Sequence, residues 1–543
     1  MKKYSTLPMK DKSPSIRQMC GALLPAAYCL LPTTLLSATP QRPNILFILC
    51  DDMGYGDLGC YGQELIRTPH IDLMASEGMR FTQAYCGSPV SAPSRCCFMT
   101  GQHSGHAAVR GNKEYWSGTV WYGNNKEYAV TGQHPYDSTH VIIPEIFKDN
   151  GYNTGMFGKW AAGYEGSHYT PDKHGIDEFY GYICQYQAHL YFPNFLNRYS
   201  RRIGDKEVVR VVLDDNIQFP MYGDGYEKRT QYSADLIHKE ALNWLRLQTA
   251  DTPWLGIFTY TLPHAELQQP RDSILLSYEG KLLPEKAYPG DGGRYNPNTN
   301  SHAQFAAMIT RLDTQVGEII DVLRERGMLD NTLVIFTSDN GPHEEGGADP
   351  AFFSRRGISS NKEADILSDE ATDALKRDGV LRGLKRSTYE GGIRIPFIAL
   401  WPGHIAPGTT CDMPIAFYDL MPTFCEIAGI ENYIERYRND DVSRPDHFDG
   451  VSFAPTLLGN YKLQERHPYL YWELAESDVM AVRKGDWKLV VKKGQTELYN
   501  LATDIHEDDN LKEQHPDIVK ELVEIIYAEH VDNPYFKTTL PER

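Results

Sequence analysis

The chain has 543 residues, with 54 Lys plus Arg against 72 Asp plus Glu, a formal net charge of −18. That acid surplus excludes a nucleic-acid binder built on a basic face, and it opposes a polyanionic ligand through the overall field. Hydrophobic residues at 41% and charged residues at 23% exclude wholesale disorder.

The first segment has the pattern of an export signal. Lys2, Lys3, Lys10, Lys12 and Arg17 precede a mostly apolar run, Met19 to Leu36, and Ser37-Ala38 offers a small-residue cleavage point. Residues 1–38 are therefore expected to be a signal peptide of a periplasmic or secreted protein. Pro25 and Pro32 interrupt the run, and no later stretch is long and apolar enough to span a bilayer. Two of the ten cysteines fall in this segment, and the other eight show no CxxC pair or zinc-type spacing. Core thiols are expected, with isolated bridges left open.

From Pro43 onward, strand and helix patterns alternate. Asn44–Cys50 is a continuous apolar run, as in a strand buried on both faces. Asn153–Gly158, Trp254–Tyr260 and Leu333–Thr337 are similar. Phe305, Met308, Ile309, Leu312, Val316, Ile319, Ile320 and Leu323 share one helical face that stops near Gly327. The alternation predicts an α/β fold with a large, mostly parallel sheet sandwiched by helices. Polar stretches at 193–231, 265–300 and 342–380 are expected as functional or mobile loops. After about residue 465 come four short strands and an amphipathic helix from about Pro516 to Ala528. These predict a small antiparallel sheet with one helix. The expected division is a catalytic domain over 39–464 and a C-terminal α+β subdomain over 465–543.

In an open α/β sheet, ligands bind at the carboxyl ends of the strands. The four buried runs deliver Asp51-Asp52, Lys159-Trp160, His264 and Asp339-Asn340-Gly341 at that end. One such set would be a solvated strand end, whereas four convergent sets indicate an active site. Asp51, Asp52, Asp339 and Asn340 are all oxygen ligands, and packed carboxylates repel unless a cation neutralises them. This donor set points to a hard ion, Ca²⁺ or, second, Mg²⁺.

Ser91-Ala-Pro-Ser-Arg95, leading to Thr100-Gly101, completes a pattern that resembles the type I sulfatases of the alkaline-phosphatase superfamily, in their serine-type bacterial form. Asp51-Asp-Met-Gly-Tyr-Gly-Asp57, Gly158-Lys-Trp160, Pro263-His264, Ser338-Asp-Asn-Gly341 and Leu381-Arg-Gly-Leu-Lys-Arg386 support the resemblance, as does Tyr389-Glu-Gly-Gly392. Gly485-Asp-Trp-Lys488 and Glu497-Leu-Tyr-Asn500 extend it to the C-terminal region, so it covers nearly the whole mature chain. The resemblance implies that Ser91 is oxidised to formylglycine by an anaerobic-type maturating enzyme. The hydrate then attacks sulfur through one hydroxyl, and the other expels sulfate and restores the aldehyde. It further implies that Asp51, Asp52, Ser91, Asp339 and Asn340 surround Ca²⁺ and that Arg95 orients the formylglycine. Lys159 and Lys385 would bind sulfate oxygens, and His264 would donate to the leaving oxygen or to sulfate, a role Asp339 could share.

The family often has His two residues after the strand-end Lys, where this chain has Ala161. His103, His106, His174 and His189 are candidate replacements, unranked. The expected activity is exo-acting hydrolysis of sulfate monoesters on a sulfated saccharide. The alternatives are a phosphodiester or phosphonate monoester hydrolase of the same superfamily, and an impaired sulfoglycan-binding protein.

Overall fold

Continuous apolar runs form strands here because both faces of the sheet they enter are covered. The structure, a computed structural model, describes residues 42–112, 133–136, 139–291, 295–354, 381–437 and 448–543. The segment expected to direct export, and residues 355–380 of the third polar stretch, lie outside the described residues.

Residues Arg42–Arg543 make one unit. Its large sheet contains β1 (Asn44–Cys50), β2 (Met79–Tyr85), β3 (Asn153–Lys159), β4 (Glu178–Tyr182), β5 (Phe195–Ser200) and β6 (Val209–Val212). It continues with β7 (Trp254–Thr259), β8 (Thr332–Ser338), β9 (Arg394–Leu400), β10 (Thr409–Cys411) and β11 (Ile415–Ala416). The order is β10-β2-β9-β8-β1-β7-β3-β4-β5-β6, with β11 beside β2. Strands β8, β1, β7, β3 and β4 are parallel neighbours. Strand β9 runs against both β8 and β2, and β5 and β6 add an antiparallel edge. The expected mostly parallel α/β sheet is therefore present. The stretch 193–231, expected as loop, supplies β5 and β6. Strand β6 is only four residues long and every second one is exposed, so this short edge strand offers no sustained pattern to register in sequence.

Alternation along β1 explains the two layers. Ile45, Phe47 and Leu49 enter one core cluster, with Phe98 and Phe417. Leu46 and Ile48 enter the other, with Trp244, Ile309, Leu312 and Val316. Helix α1 (Pro69–Glu77), helix α3 (Ser233–Leu247) and helix α4 (Ser301–Glu325) cover the second face, and helix α2 (Ser91–Thr100) the first. All eight positions of the apolar stripe expected on α4 are buried.

A second sheet, β12 (Leu470–Leu474), β13 (Val479–Lys484), β14 (Trp487–Lys492) and β15 (Gln495–Asn500), is an antiparallel meander. Helix α5 (Pro516–Glu529) packs Leu522, Val523 and Ile526 on it. Its fully buried Lys488 ammonium lies 2.8 Å from Glu390 and 2.9 Å from Glu507, which ties this sheet to the segment preceding β9. All eight cysteines from Cys50 to Cys425 are free thiols. No helix among the described residues is long and apolar enough to cross a membrane.

Candidate active site

The four central strands β8, β1, β7 and β3 are contiguous, and residues at and just beyond their carboxyl ends meet. Strand β1 ends in Asp51-Asp52 and β8 in Asp339-Asn340. Strand β3 itself ends in Lys159, and the chain after β7 reaches His264. Gly158 makes the approach of Lys159 possible: its φ is +124°, and a Cβ there would lie 2.0 Å from the carbonyl oxygen of Thr259. Asp52 has φ +63°, a left-handed conformation that Asp tolerates better than most residues. Its amide donates to Asp339 Oδ1 at 3.1 Å.

Helix α2 begins at Ser91, preceded by the extended Val90, and all ten of its residues are buried. The Ser91 hydroxyl donates to Asp51 Oδ1 at 2.9 Å and lies 3.5 Å from Asn340 Oδ1. Asn340 Nδ2 donates to Asp52 Oδ1 at 2.6 Å. Arg95, one helical turn after Ser91, reaches back to Asp339 Oδ2 at 2.9 Å and Asp51 Oδ2 at 3.3 Å. Lys159 Nζ bonds Asp51 Oδ2 at 2.7 Å, and Lys385 Nζ bonds Asp52 Oδ2 at 2.8 Å. Two cations thus bind the oxygen cluster, one on Asp51 and one on Asp52.

The electrostatics follow from burial and crowding. Burial alone would raise the Asp51 carboxyl, but Lys159 and Arg95 hold it well below the ordinary value. Asp339 is pushed up to about 6 by burial and by the charge of Asp51. Burial draws the Lys159 ammonium down, against the pull of Asp51. Lys385 is raised in spite of its burial, because Asp52 and Glu345 face it. His264 is driven well below its ordinary value by burial and by the Lys385 ammonium.

Contacts fix the state of His264. Lys385 Nζ lies 3.0 Å from His264 Nε2, and an ammonium can only donate. Nε2 therefore accepts, and the ring proton sits on Nδ1, where it is donated to the Ala265 carbonyl.

All nine residues singled out in the sequence come together here. The candidates for the missing imidazole separate. Ala161 is buried, with φ +55°. Only His189 reaches the site, its ring stacked on His264 with centroids 4.5 Å apart. His103 and His106 contact Glu529 and Asp449, and His174 contacts Glu145. The structure also adds residues that were not anticipated. His343 Nε2 lies 3.9 Å from Asp52 Oδ2. Glu345 Oε2 is 3.4 Å from Lys385 Nζ and accepts from Tyr295 at 3.1 Å, while Glu345 Oε1 accepts from Arg386 at 2.7 Å. Their signal was the polar run His343-Glu-Glu345 just past Asn340.

A mostly parallel sheet flanked by helices, with acidic oxygens and Lys159 at its strand ends and with the Ser91 hydroxyl and Lys385 brought beside them from other segments, is the architecture of the alkaline-phosphatase-like class. The chain belongs to the sulfatase family, whose model matches residues 43–430. The model of the C-terminal region of N-sulphoglucosamine sulphohydrolase matches residues 384–531. N-acetylgalactosamine-6-sulfatase of Rattus norvegicus is 29% identical over 86% of this chain and 76% of its own length. N-acetylgalactosamine-6-O-sulfatase of Bacteroides thetaiotaomicron is 27% identical over 90% of this chain and 93% of its own. The crystal structure of Ps i-CgsB in complex with k-i-k-neocarrahexaose has the same fold, with a TM-score of 0.65 at 24% identity, covering 92% of this chain and 95% of that one. The protein is a sulfuric ester hydrolase.

Proposed function

We propose that this chain is an exported, exo-acting carbohydrate sulfatase whose nucleophile is residue 91 in its formylglycine form, working beside a bound Ca²⁺. The catalytic domain would span 39–464 and the C-terminal subdomain 465–543, with residues 1–38 removed on export. The observation that carries the proposal is the Ser91 hydroxyl, 2.9 Å from Asp51 and 3.5 Å from Asn340, in a cluster where Lys159 bonds Asp51 and Lys385 bonds Asp52.

The donor set suits a hard divalent ion. Asp51, Asp52, Asp339 and Asn340 are fully buried side chains that offer oxygens, and the rise of Asp339 to about 6 records repulsion that a cation would remove. Together the oxidised residue 91 and the metal would supply an activated oxygen nucleophile and a Lewis acid for the sulfate. The protein's own groups do the rest. Lys159 and Lys385 place positive charge where charge builds on the sulfate oxygens. Arg95, paired with Asp339 and Asp51, offsets their negative charge and orients residue 91. His264 is neutral at rest and orients Lys385, and it becomes a proton donor to the leaving oxygen only once Nε2 is freed and protonated.

The relatives named for N-acetylgalactosamine 6-sulfate support a sulfated sugar as substrate. The maturating partner would be an enzyme of the anaerobic, serine-converting type.

Mass spectrometry of the peptide carrying residue 91, from protein matured in its native host, tests the nucleophile. The expected result is loss of two hydrogens, and unmodified Ser91 in active protein would overturn it. Turnover of matched aryl sulfate, phosphodiester and sulfated saccharide substrates tests the reaction. Saccharide sulfate should be preferred, and a phosphodiester preference would move the chain to the phosphonate-hydrolase side of the superfamily. Binding of sulfated saccharide without turnover by oxidised protein would instead make it a binding protein.

A further inference from the structure

The small sheet does more than cap the molecule. Its β12–β13 hairpin lies along the segment that delivers Ser91. Trp472 Nε1 donates to the Cys86 carbonyl at 2.8 Å, and the Ser88 hydroxyl donates to the Glu473 carbonyl at 3.0 Å. Val90, next to Ser91, is buried against Leu474 and Val479. The hairpin turn then reaches the site itself. The Ala475 amide donates to the Arg110 carbonyl at 2.9 Å. Glu476 Oε2 accepts the Asn112 amide at 2.6 Å, and Asn112 Oδ1 accepts the amide of Ala92 at 3.1 Å. The other oxygen of Glu476 faces Arg386 Nε at 3.5 Å. Arg386 has φ +75°, and its amide donates to the Pro89 carbonyl at 2.8 Å, inside the same segment.

We propose that Glu476 is a positioning residue for the nucleophile. Acting through Asn112 it fixes the first turn of α2, and through Arg386 it fixes the strap that carries Lys385. Every link is a hydrogen bond or ion pair between segments far apart in sequence, and the chain of contacts ends one residue from Ser91 on one arm and one residue from Lys385 on the other. Glu476 touches neither substrate nor reacting atoms. Its effect is on placement, and a displacement of about 1 Å at a reacting group costs on the order of 100-fold in rate.

The inference rests on the sulfatase reaction proposed above and predicts a distinct kinetic signature. In full-length matured enzyme with p-nitrophenyl sulfate, Glu476→Ala should lower kcat by about 10- to 100-fold and change KM by less than about threefold. Thermal stability should stay near wild type, because Glu476 is exposed. Glu476→Gln keeps an acceptor for the Asn112 amide and should recover kcat to within about threefold of wild type. Asn112→Ala cuts one of the two arms and should give part of the Glu476→Ala loss, and the double variant should be no worse than Glu476→Ala alone, since Glu476→Ala already cuts both arms. Unchanged kcat in Glu476→Ala, a change in KM alone, or multiplicative losses in the double variant would each overturn the assignment. Absence of turnover of both p-nitrophenyl sulfate and sulfated saccharides by the matured wild type would instead sink the sulfatase reaction, so the two failures are separable.

Discussion

At the scale of single residues, the site is a balance of buried charges, and each charge has a testable weight. Ser91 sits at 2% exposure among carboxylates and cations, with no other hydroxyl nearer Asp51 in the contacts described. Ser91→Ala should abolish sulfatase turnover, a loss of at least about 1,000-fold in kcat, while leaving the melting temperature near wild type. Lys385→Ala should lower kcat by about 100- to 1,000-fold, since it removes a cation aimed at developing charge. It should also release the His264 imidazole from the ammonium that depresses it, so NMR titration of His264 should move upward. An unmoved His264 would contradict the donor–acceptor assignment of that pair. Chelation with EGTA should remove activity, and added Ca²⁺ should restore it more fully than Mg²⁺.

At the scale of elements, the fold explains what could be read from the chain and what could not. The strands β1, β3, β7 and β8 were legible because a strand buried on both faces needs an uninterrupted apolar run. Asp51, Asp52, Lys159, Asp339 and Asn340 were legible for the same reason, since each follows or ends such a run, and His264 follows its run after a short turn. Helix α4 was legible through its apolar stripe. Strands β5 and β6 were not, because they are short, β5 mixes apolar and polar residues, and β6 is four residues set among polar neighbours. Asn112 and Glu476 were not legible either: their neighbours come from other segments, and no local pattern marks a contact made by folding. Element docking also carries a stability prediction. Lys488 is fully buried between Glu390 and Glu507. Lys488→Ala would strand two buried carboxyls and should cost about 3–5 kcal/mol in chemical denaturation. Placing Met there should cost less than placing Ala, since it refills the space left by the lysine stem.

At the scale of the whole molecule, the surplus of acid is spent unevenly. At least three acidic side chains belong to the oxygen cluster, and Arg95, Lys159 and Lys385 face them, so the field felt by an anionic ester is that of the pocket and not of the chain. Buried carboxyls elsewhere set the pH response. Burial raises Glu266 to about 7, against the bonds it accepts from Tyr226 and Asn296, and burial likewise raises Asp313 to about 7. A carboxyl with a folded value above its unfolded value binds its proton more tightly in the folded state. Their contribution is therefore fully present below about pH 4 and is lost as pH rises through about 7. Replacing Glu266 with Gln should flatten the fall in melting temperature between pH 5 and pH 8, and an unchanged slope would count against the burial argument.

The hairpin that supports the nucleophile segment also has a consequence in time. Trp472 meets the Cys86 carbonyl across 386 positions of sequence. At synthesis rates of about 5–20 residues per second, the segment bearing Ser91 exists for about 20–80 s before its partner strand is made. During that interval the serine lacks the floor that later encloses it. If residue 91 is oxidised as proposed above, its modifying enzyme has a clock set by the length of the intervening chain. Moving the hairpin's coding sequence earlier, by circular permutation, should shorten that clock and lower the fraction of chains that mature.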